Sequence, residues 1–289
     1  MTFREFETQY PQQTMILQNG KTFVYRYAKH PEAKQTVVLL TGGIGLSDLF
    51  YLHFQRFSRE FSVMTFDYQT QFVNDREFAA AVAELLTRSH IKGWLVGQSM
   101  GGIVAQIIAK DYPQVVEGLV LSNTCSLSRD MGEKAMSHLM GMLEDIQRSK
   151  KLLSFVPFGL YKKRMKKEIL EKKTGDLTKE EKARMEELCD IMVALLDKPY
   201  ASHMIDLLID IKNHLGHAPE DFAYLKGRVL LILSEDDETF TEACKTALIQ
   251  IMPEPEVVTE LTGGHLALLV KLEKYAELVT EFIRNCSDR

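Results

Sequence analysis

The chain has 289 residues, 45% of them hydrophobic and 26% charged, with a formal net charge of −5. That balance excludes a disordered chain, and the length can bury a sizeable core without disulfide or metal staples. A mildly acidic total gives no electrostatic support for a nucleic-acid partner, and the length suggests about two domains at roughly 150 residues each.

Near the start, Thr14–Gln18 and Thr22–Tyr27 flank Asn19-Gly20. Asn-Gly suits a type I′ turn, in which both central residues take positive φ, so the segment reads as a β-hairpin. Short, nearly continuous apolar runs follow at Thr36–Leu40, Phe61–Phe66, Gly93–Val96 and Gly118–Leu121. Helical patterns fall between them, notably Glu77–Thr87 and Gly101–Lys110. Buried strands alternating with helices predict a parallel sheet covered on both faces, an α/β fold.

The alternation stops near residue 125 and resumes near 227 with strands at Arg228–Leu233 and Glu256–Thr259. Helices are expected after them, at about 240–250 and 268–284. Residues 126–225 between are helical in character and show no convincing strand. Thr178-Lys-Glu-Glu181 is a capping box opening a helix with Met185, Leu188, Met192 and Leu195 on one face. The expectation is a core made of residues 1–125 and 226–289, with residues 126–225 inserted as a helical cap over one end of its sheet.

The four cysteines, at 125, 189, 244 and 286, form no Cys-x-x-Cys pair and no zinc-ligand spacing, and read as reduced thiols. The N-terminal segment Met1-Thr-Phe-Arg-Glu-Phe-Glu lacks the apolar core of a signal peptide. No apolar run of about 18 residues is present to span a membrane. A cytoplasmic protein is expected.

The chemistry concentrates at Gly97-Gln98-Ser99-Met100-Gly101-Gly102, between a predicted strand and a predicted helix. So sharp a strand-to-helix turn needs small flanking residues, so that the serine can sit in a strained conformation with Oγ exposed. The helix N-terminus behind it offers free N–H groups and a positive dipole end to a developing oxyanion. A serine hydroxyl is a weak nucleophile, so it needs a base, and the base needs an orienting partner. His265, in Gly263-Gly264-His265, is the one histidine with a Gly-Gly approach directly after a predicted strand. The acidic cluster Ser234-Glu-Asp-Asp237 stands just past another strand end, with Asp237 the expected acid and Asp236 its rival. Thr41-Gly42-Gly43-Ile44-Gly45 ends a third strand and can bring backbone close to a substrate. The N–H groups of Gly43 and Met100 are the expected oxyanion donors, with Gly42 or Ile44 as neighbours in register to Gly43.

Taken together, these segments resemble the α/β-hydrolase superfamily over nearly the whole chain outside the cap. Ser99, Asp237 and His265 match its chain order of serine, acid and histidine. The resemblance implies a mostly parallel, eight-strand-type sheet with a helical cap between the sixth strand and the acid-bearing strand. The elbow is similar to those of small esterases, lactonases and carbon–carbon bond hydrolases. It implies a serine hydrolase that cleaves a carboxylic ester through an acyl-enzyme, with no metal or organic cofactor. Carbon–carbon cleavage, peptide-bond hydrolysis by an aminopeptidase, and ligand binding without catalysis are the alternatives. Two features depart from the family pattern: Thr41-Gly42 replaces a common His-Gly, and residues 67–74, expected to form a pocket wall, contain no glycine.

For the partner, a small-molecule ester is expected. The cap carries clustered methionines (Met131, Met136, Met140, Met142) and a mostly apolar run, Leu152–Tyr161. Residues 148–173 hold ten Lys/Arg against two Glu, a local +8 that leaves −13 elsewhere. Such a run reads first as a solvated helix face. A sharper reading makes it the basic rim of an apolar lid that receives acyl groups with an anionic part or touches anionic lipid.

Overall fold

The computed structural model describes residues 2–172 and 177–287, without the side chains of Leu152 and Lys172. Among these residues the chain forms an eight-stranded sheet. The strands are β1 (Gln13–Ile16), β2 (Thr22–Ala28), β3 (Thr36–Leu40), β4 (Ser62–Thr65), β5 (Gly93–Gln98), β6 (Val116–Ser122), β7 (Val229–Ile232) and β8 (Glu256–Val258). Their spatial order is β1-β2-β4-β3-β5-β6-β7-β8. β1 pairs antiparallel with β2 and β2 with β4, whereas all pairs from β4 to β8 are parallel.

Every residue of β3, β5 and β7 is buried, as strands covered on both faces require. Successive side chains alternate between two cores. Val38, Leu40, Leu95, Leu119, Leu121 and Leu231 point into one of them. This core is closed by α3 (Asp75–Arg88), α4 (Met100–Asp111) and α9 (Glu242–Ile251), after α1 (Phe3–Gln9) and α2 (Tyr51–Phe57) in chain order. Val37, Leu39, Trp94, Val96, Val120 and Leu230 point into the other core, against α1, α2 and the C-terminal helix.

Between β6 and β7 come α5 (Glu133–Phe155), α6 (Phe158–Lys172), α7 (Lys179–Leu195) and α8 (Lys198–Asp210). After β8 the chain ends in α10 (Ala267–Val270) and α11 (Leu272–Ser287). α5 packs on α8 and α9, α6 on α7, and α7 on α10, so this helical segment rests on the C-terminal helices of the core. The two strands of chain leading into and out of it meet at a neck. The Gly216 and His217 N–H groups donate to the Leu127 carbonyl at 2.8 and 3.1 Å, and Ser128 and His217 form an isolated parallel bridge. The 3-10 turn Pro219–Leu225, which the sequence pattern groups with the helical segment, packs instead on α4, β6 and α9.

The Thr178 capping box forms: the Glu181 N–H donates to Thr178 Oγ1 at 3.3 Å, and the Thr178 N–H to Glu181 Oε2 at 2.8 Å. Met185, Leu188 and Met192 are buried as the period predicts, but Leu195, in the last turn of α7, is 42% exposed. The β1–β2 connection corrects the sequence expectation. Asn19 does not take positive φ, whereas Gly20 does, at 80°. The Gly20 N–H donates to the Leu17 carbonyl at 2.9 Å and the Leu17 N–H to the Lys21 carbonyl at 2.8 Å. This is a three-residue loop, a type I turn closed by a glycine bulge, rather than a two-residue type I′ turn. Asn19 Oδ1 accepts the Lys21 N–H at 2.9 Å, which holds the asparagine inside the turn.

Candidate active site

Ser99 stands between β5 and α4 with φ 52° and ψ −118°, a backbone conformation that costs a non-glycine residue energy. The glycines around it explain how the turn closes. A Cβ at Gly97 would lie 2.4 Å from the Gly101 carbonyl oxygen, and one at Gly101 would lie 2.1 Å from that of Leu40. The elbow is therefore pressed against the end of β3 with no room for a side chain at either position. Its backbone is held from below, where Thr124 Oγ1 donates to the Ser99 carbonyl at 2.7 Å and the Ser99 N–H donates to the Ser122 carbonyl at 3.0 Å.

His265 sits in the short 3-10 turn Gly264–Leu266, entered through Gly263 (φ 131°) and Gly264 (φ 65°). Its Nδ1 lies 3.1 and 3.2 Å from the two carboxylate oxygens of Asp237. Asp237 Oδ1 also accepts the Thr239 N–H at 2.7 Å. Burial alone would raise the Asp237 carboxyl, but the His265 and Thr239 hydrogen bonds and the imidazole charge outweigh it and hold it below the usual carboxylate range. Asp236 faces elsewhere and accepts the Gly263 N–H at 2.8 Å, so it anchors the backbone of the histidine loop.

Two residues that the sequence pattern did not single out complete the arrangement. The Gln98 amide nitrogen lies 3.3 Å from His265 Nε2 and 3.2 Å from the His265 carbonyl oxygen. Asn123, at the end of β6 with φ 41°, ties the acid loop to the histidine loop. Its side-chain amide donates to Ser234 Oγ at 3.1 Å and to the Gly264 carbonyl at 3.0 Å, and its Oδ1 accepts the Ser234 N–H at 2.9 Å. The available signal was an asparagine directly after a run of buried apolar residues, where an unpaired amide would be costly.

The Gly43 and Met100 N–H groups make no hydrogen bond within the protein among the described residues. The Thr41–Gly45 loop is clamped from two sides. Tyr68 Oη donates to the Thr41 carbonyl at 2.9 Å and Tyr200 Oη, from α8, donates to the Gly45 carbonyl at 2.7 Å. Leu208, also on α8, covers Gly43 so closely that a Cβ there would lie 3.2 Å from its methyl.

Ser99, His265, Gly43 and Met100 share one cavity of about 350 Å³, walled by Ile44, Ile103, Met142, Ile146, Leu208 and Leu269 among others. No aspartate or glutamate lines it among the described residues. Residues 67–74 do not line it either, which corrects the expectation of a pocket wall there. Their contribution is the Tyr68 clamp. Of the clustered methionines only Met142 reaches the cavity, while Met131, Met136 and Met140 pack into the core. A wider cavity of about 750 Å³ between α5 and α6 shares Met142, Ile146 and Thr239 with the first.

Much of the basic run is engaged locally. Lys150 pairs with Asp206, Lys166 with Asp190 and Lys167 with Glu171, and Arg148 pairs with Glu144 and Asp145. Lys162 Nζ donates to the Val193 and Leu196 carbonyls at 2.6 and 3.3 Å, capping the end of α7. Lys173 lies outside the described residues. From the apolar run Leu152–Tyr161, Phe155 (86%) and Leu160 (57%) stand exposed. The four cysteines are free thiols, and among the described residues no helix is long and apolar enough to cross a membrane.

The family model for the alpha/beta hydrolase fold matches residues 35–272, and the chain belongs to the α/β-hydrolase family. Its fold is similar to that of a carboxylesterase structure from Nitrososphaera gargenis (TM-score 0.74, 15% identity, 96% of this chain and 99% of that one). It is similar also to a thermophilic esterase from Thermogutta terrifontis (0.70, 15%, 95% and 98%). An enol-lactonase from Burkholderia xenovorans aligns comparably (0.69, 17%, 94% and 100%). No curated protein matches the sequence.

Proposed function

We propose that this protein is a serine hydrolase that cleaves carboxylic esters with a small or medium apolar acyl group. The observation that carries the reading is Ser99, strained at the N-terminus of α4, in one cavity with a histidine whose Nδ1 rests on a buried aspartate. In this reading Ser99 Oγ attacks the ester carbonyl and passes its proton to His265 Nε2. The Gly43 and Met100 N–H groups, free of protein partners among the described residues, receive the oxyanion. Collapse expels the alcohol, which takes the proton from His265 and leaves an acyl-Ser99. A water then gives a proton to His265 and attacks the acyl carbon, releasing the acid and restoring the serine. Asp237 holds the imidazole with its proton on Nδ1 and balances the charge that forms on the ring.

The apolar walls and moderate volume of the cavity support an apolar acyl group. The helices between β6 and β7 act in this reading as a cap, since Met142, Ile146 and Leu208 roof the cavity.

The test is labelling with a fluorophosphonate probe, wild type against Ser99→Ala, beside p-nitrophenyl esters of increasing acyl length. The expected result is labelling lost in Ser99→Ala, with turnover that peaks at short or medium acyl chains. Absence of labelling in the wild type overturns the hydrolase reading, and labelling without ester turnover overturns the ester assignment.

A further inference from the structure

Away from Ser99, Asp75 opens α3 with its carboxylate wholly buried and, among the described residues, neither oxygen hydrogen-bonded. A buried carboxylate without a partner is expensive, and a counter-charge is the ordinary remedy. Two further ligand-type groups face it. Asp210 ends α8, and His214 ends the 3-10 turn Ile211–His214 that follows. One donor atom from each of Asp75, Asp210 and His214 lies within 4.8 Å of the other two. Asp210 Oδ2 accepts the Asp75 N–H at 3.0 Å and lies 2.8 Å from His214 Nε2, while Oδ1 accepts the Asn213 amide at 2.7 Å. Among the described residues no lysine or arginine pairs with either aspartate, and the adjacent Arg76 turns outward to Asp111. None of the three groups lines the cavity around Ser99.

We propose that Asp75, Asp210 and His214 bind one divalent transition-metal ion, with zinc the best-matched probe. Two carboxylates and one neutral imidazole supply two negative charges and a nitrogen donor. The nitrogen favours zinc-type ions over magnesium or calcium, which prefer all-oxygen shells. An ion with bonds of about 2.0–2.2 Å holds tetrahedral ligand atoms roughly 3.4 Å apart, so small rotamer adjustments close the site. The ion replaces the hydrogen bond between His214 and Asp210, with His214 then carrying its proton on Nδ1, and water completes the shell.

The consequence is mechanical. Asp75 belongs to the core, whereas Asp210 and His214 follow directly from Leu208 and bracket Ile211, both of which line the Ser99 cavity. Leu208 also rests on Gly43. A bound ion therefore pins the end of α8, and with it the roof over the Thr41–Gly45 loop.

The test needs no turnover. The full chain is stripped with a chelator, then titrated with zinc chloride by calorimetry and followed by thermal unfolding, beside Asp75→Asn and His214→Gln. The expected result is one zinc per chain and a midpoint raised by several degrees. Affinity should fall at least a hundredfold in Asp75→Asn and at least tenfold in His214→Gln, with far-UV circular dichroism confirming that both fold. No saturable binding by the wild type, or binding unchanged in both variants as at an adventitious surface site, overturns the proposal.

Discussion

The side-chain nitrogen of Gln98 lies 3.3 Å from Nε2 of His265, on the ring position that would take the Ser99 proton. The same nitrogen is 3.2 Å from the His265 carbonyl oxygen, which can only accept, so the amide presents N–H groups to both. His265 Nε2 is therefore an acceptor and Nδ1 carries the hydrogen that faces Asp237. Ser99 Oγ makes no hydrogen bond to the ring among the described residues. Gln98 thus occupies His265 Nε2, and in the proposed mechanism this hydrogen bond must break before proton transfer. Replacing Gln98 with Met keeps the volume and removes the donor. The fluorophosphonate labelling rate is expected to rise about fivefold, the worth of a neutral hydrogen bond of about 1 kcal/mol. A tenfold fall would instead make Gln98 a support that positions the ring.

Asp237 and Asp236 are neighbours with different jobs, and their substitutions should separate. Asp237→Asn offers an N–H to Nδ1, which moves the ring proton to Nε2 and blocks serine deprotonation. Ester turnover is expected to fall about 10³–10⁴-fold with little change in unfolding temperature. Asp236→Ala removes the acceptor for the Gly263 N–H. It should cost about 1 kcal/mol of stability and less than tenfold in kcat. Steady-state kinetics and thermal melts on both proteins check the pair, and equal losses of activity would refute the division.

Asn123 joins the two loops that carry Asp237 and His265. Asn123→Ala leaves buried partners at Ser234 and Gly264 unpaired and puts alanine at φ 41°. A loss of about 3 kcal/mol is expected, measured by urea unfolding. kcat should drop at least tenfold, since both loops lose their shared tether.

Leu208 closes over Gly43, so a side chain at that glycine must push it away. In Gly43→Ala the new methyl would meet Leu208 at 3.2 Å, tighter than ordinary contact. The expected outcome is a fall in kcat of about tenfold, from a displaced donor. Leu208→Ala in the same chain should recover most of it. No recovery in the double variant would locate the damage in the loop itself.

Two buried histidines should each withdraw stability as the pH falls, a trend opposed by Asp48, whose carboxyl burial raises to about 6. His53 has Nε2 at 3.1 Å from the Leu268 carbonyl and an unpartnered Nδ1. Burial pushes its pKa down from 6.5 to about 4. Burial and the nearby Lys110 charge lower His217 to about 4 as well. Between those limits the unfolded chain binds protons that the folded chain refuses. Each histidine's contribution to folding free energy is therefore fully retained above about pH 6.5 and lost as pH falls toward 4, by up to roughly 3 kcal/mol. His53→Gln keeps a donor for Leu268 without the titration. Its melting temperature should fall less between pH 7.5 and 4.5 than that of the wild type, and parallel curves would refute the assignment.

The sequence by itself determined the strands of the sheet, the helices between them, and the Gly-x-Ser-x-Gly elbow. These are local: a short continuous apolar run, a capping box, or glycines that leave room for a tight turn act within a few residues. Only the tertiary structure decided which acid of Ser234–Asp237 faces His265, that Gln98 occupies the histidine, and that Asn123 ties the loops. Local reading failed even at Asn19-Gly20, where the dipeptide permits two loop lengths and the pairing of β1 with β2 selects the longer. The site is assembled from the ends of β3, β5, β6, β7 and β8 and from α8. Its geometry depends on where strands end against their neighbours and which side chains the helical segment presses onto them. Those are contacts between residues a hundred or more apart in the chain, such as Asn123 with Gly264 and Gly45 with Tyr200.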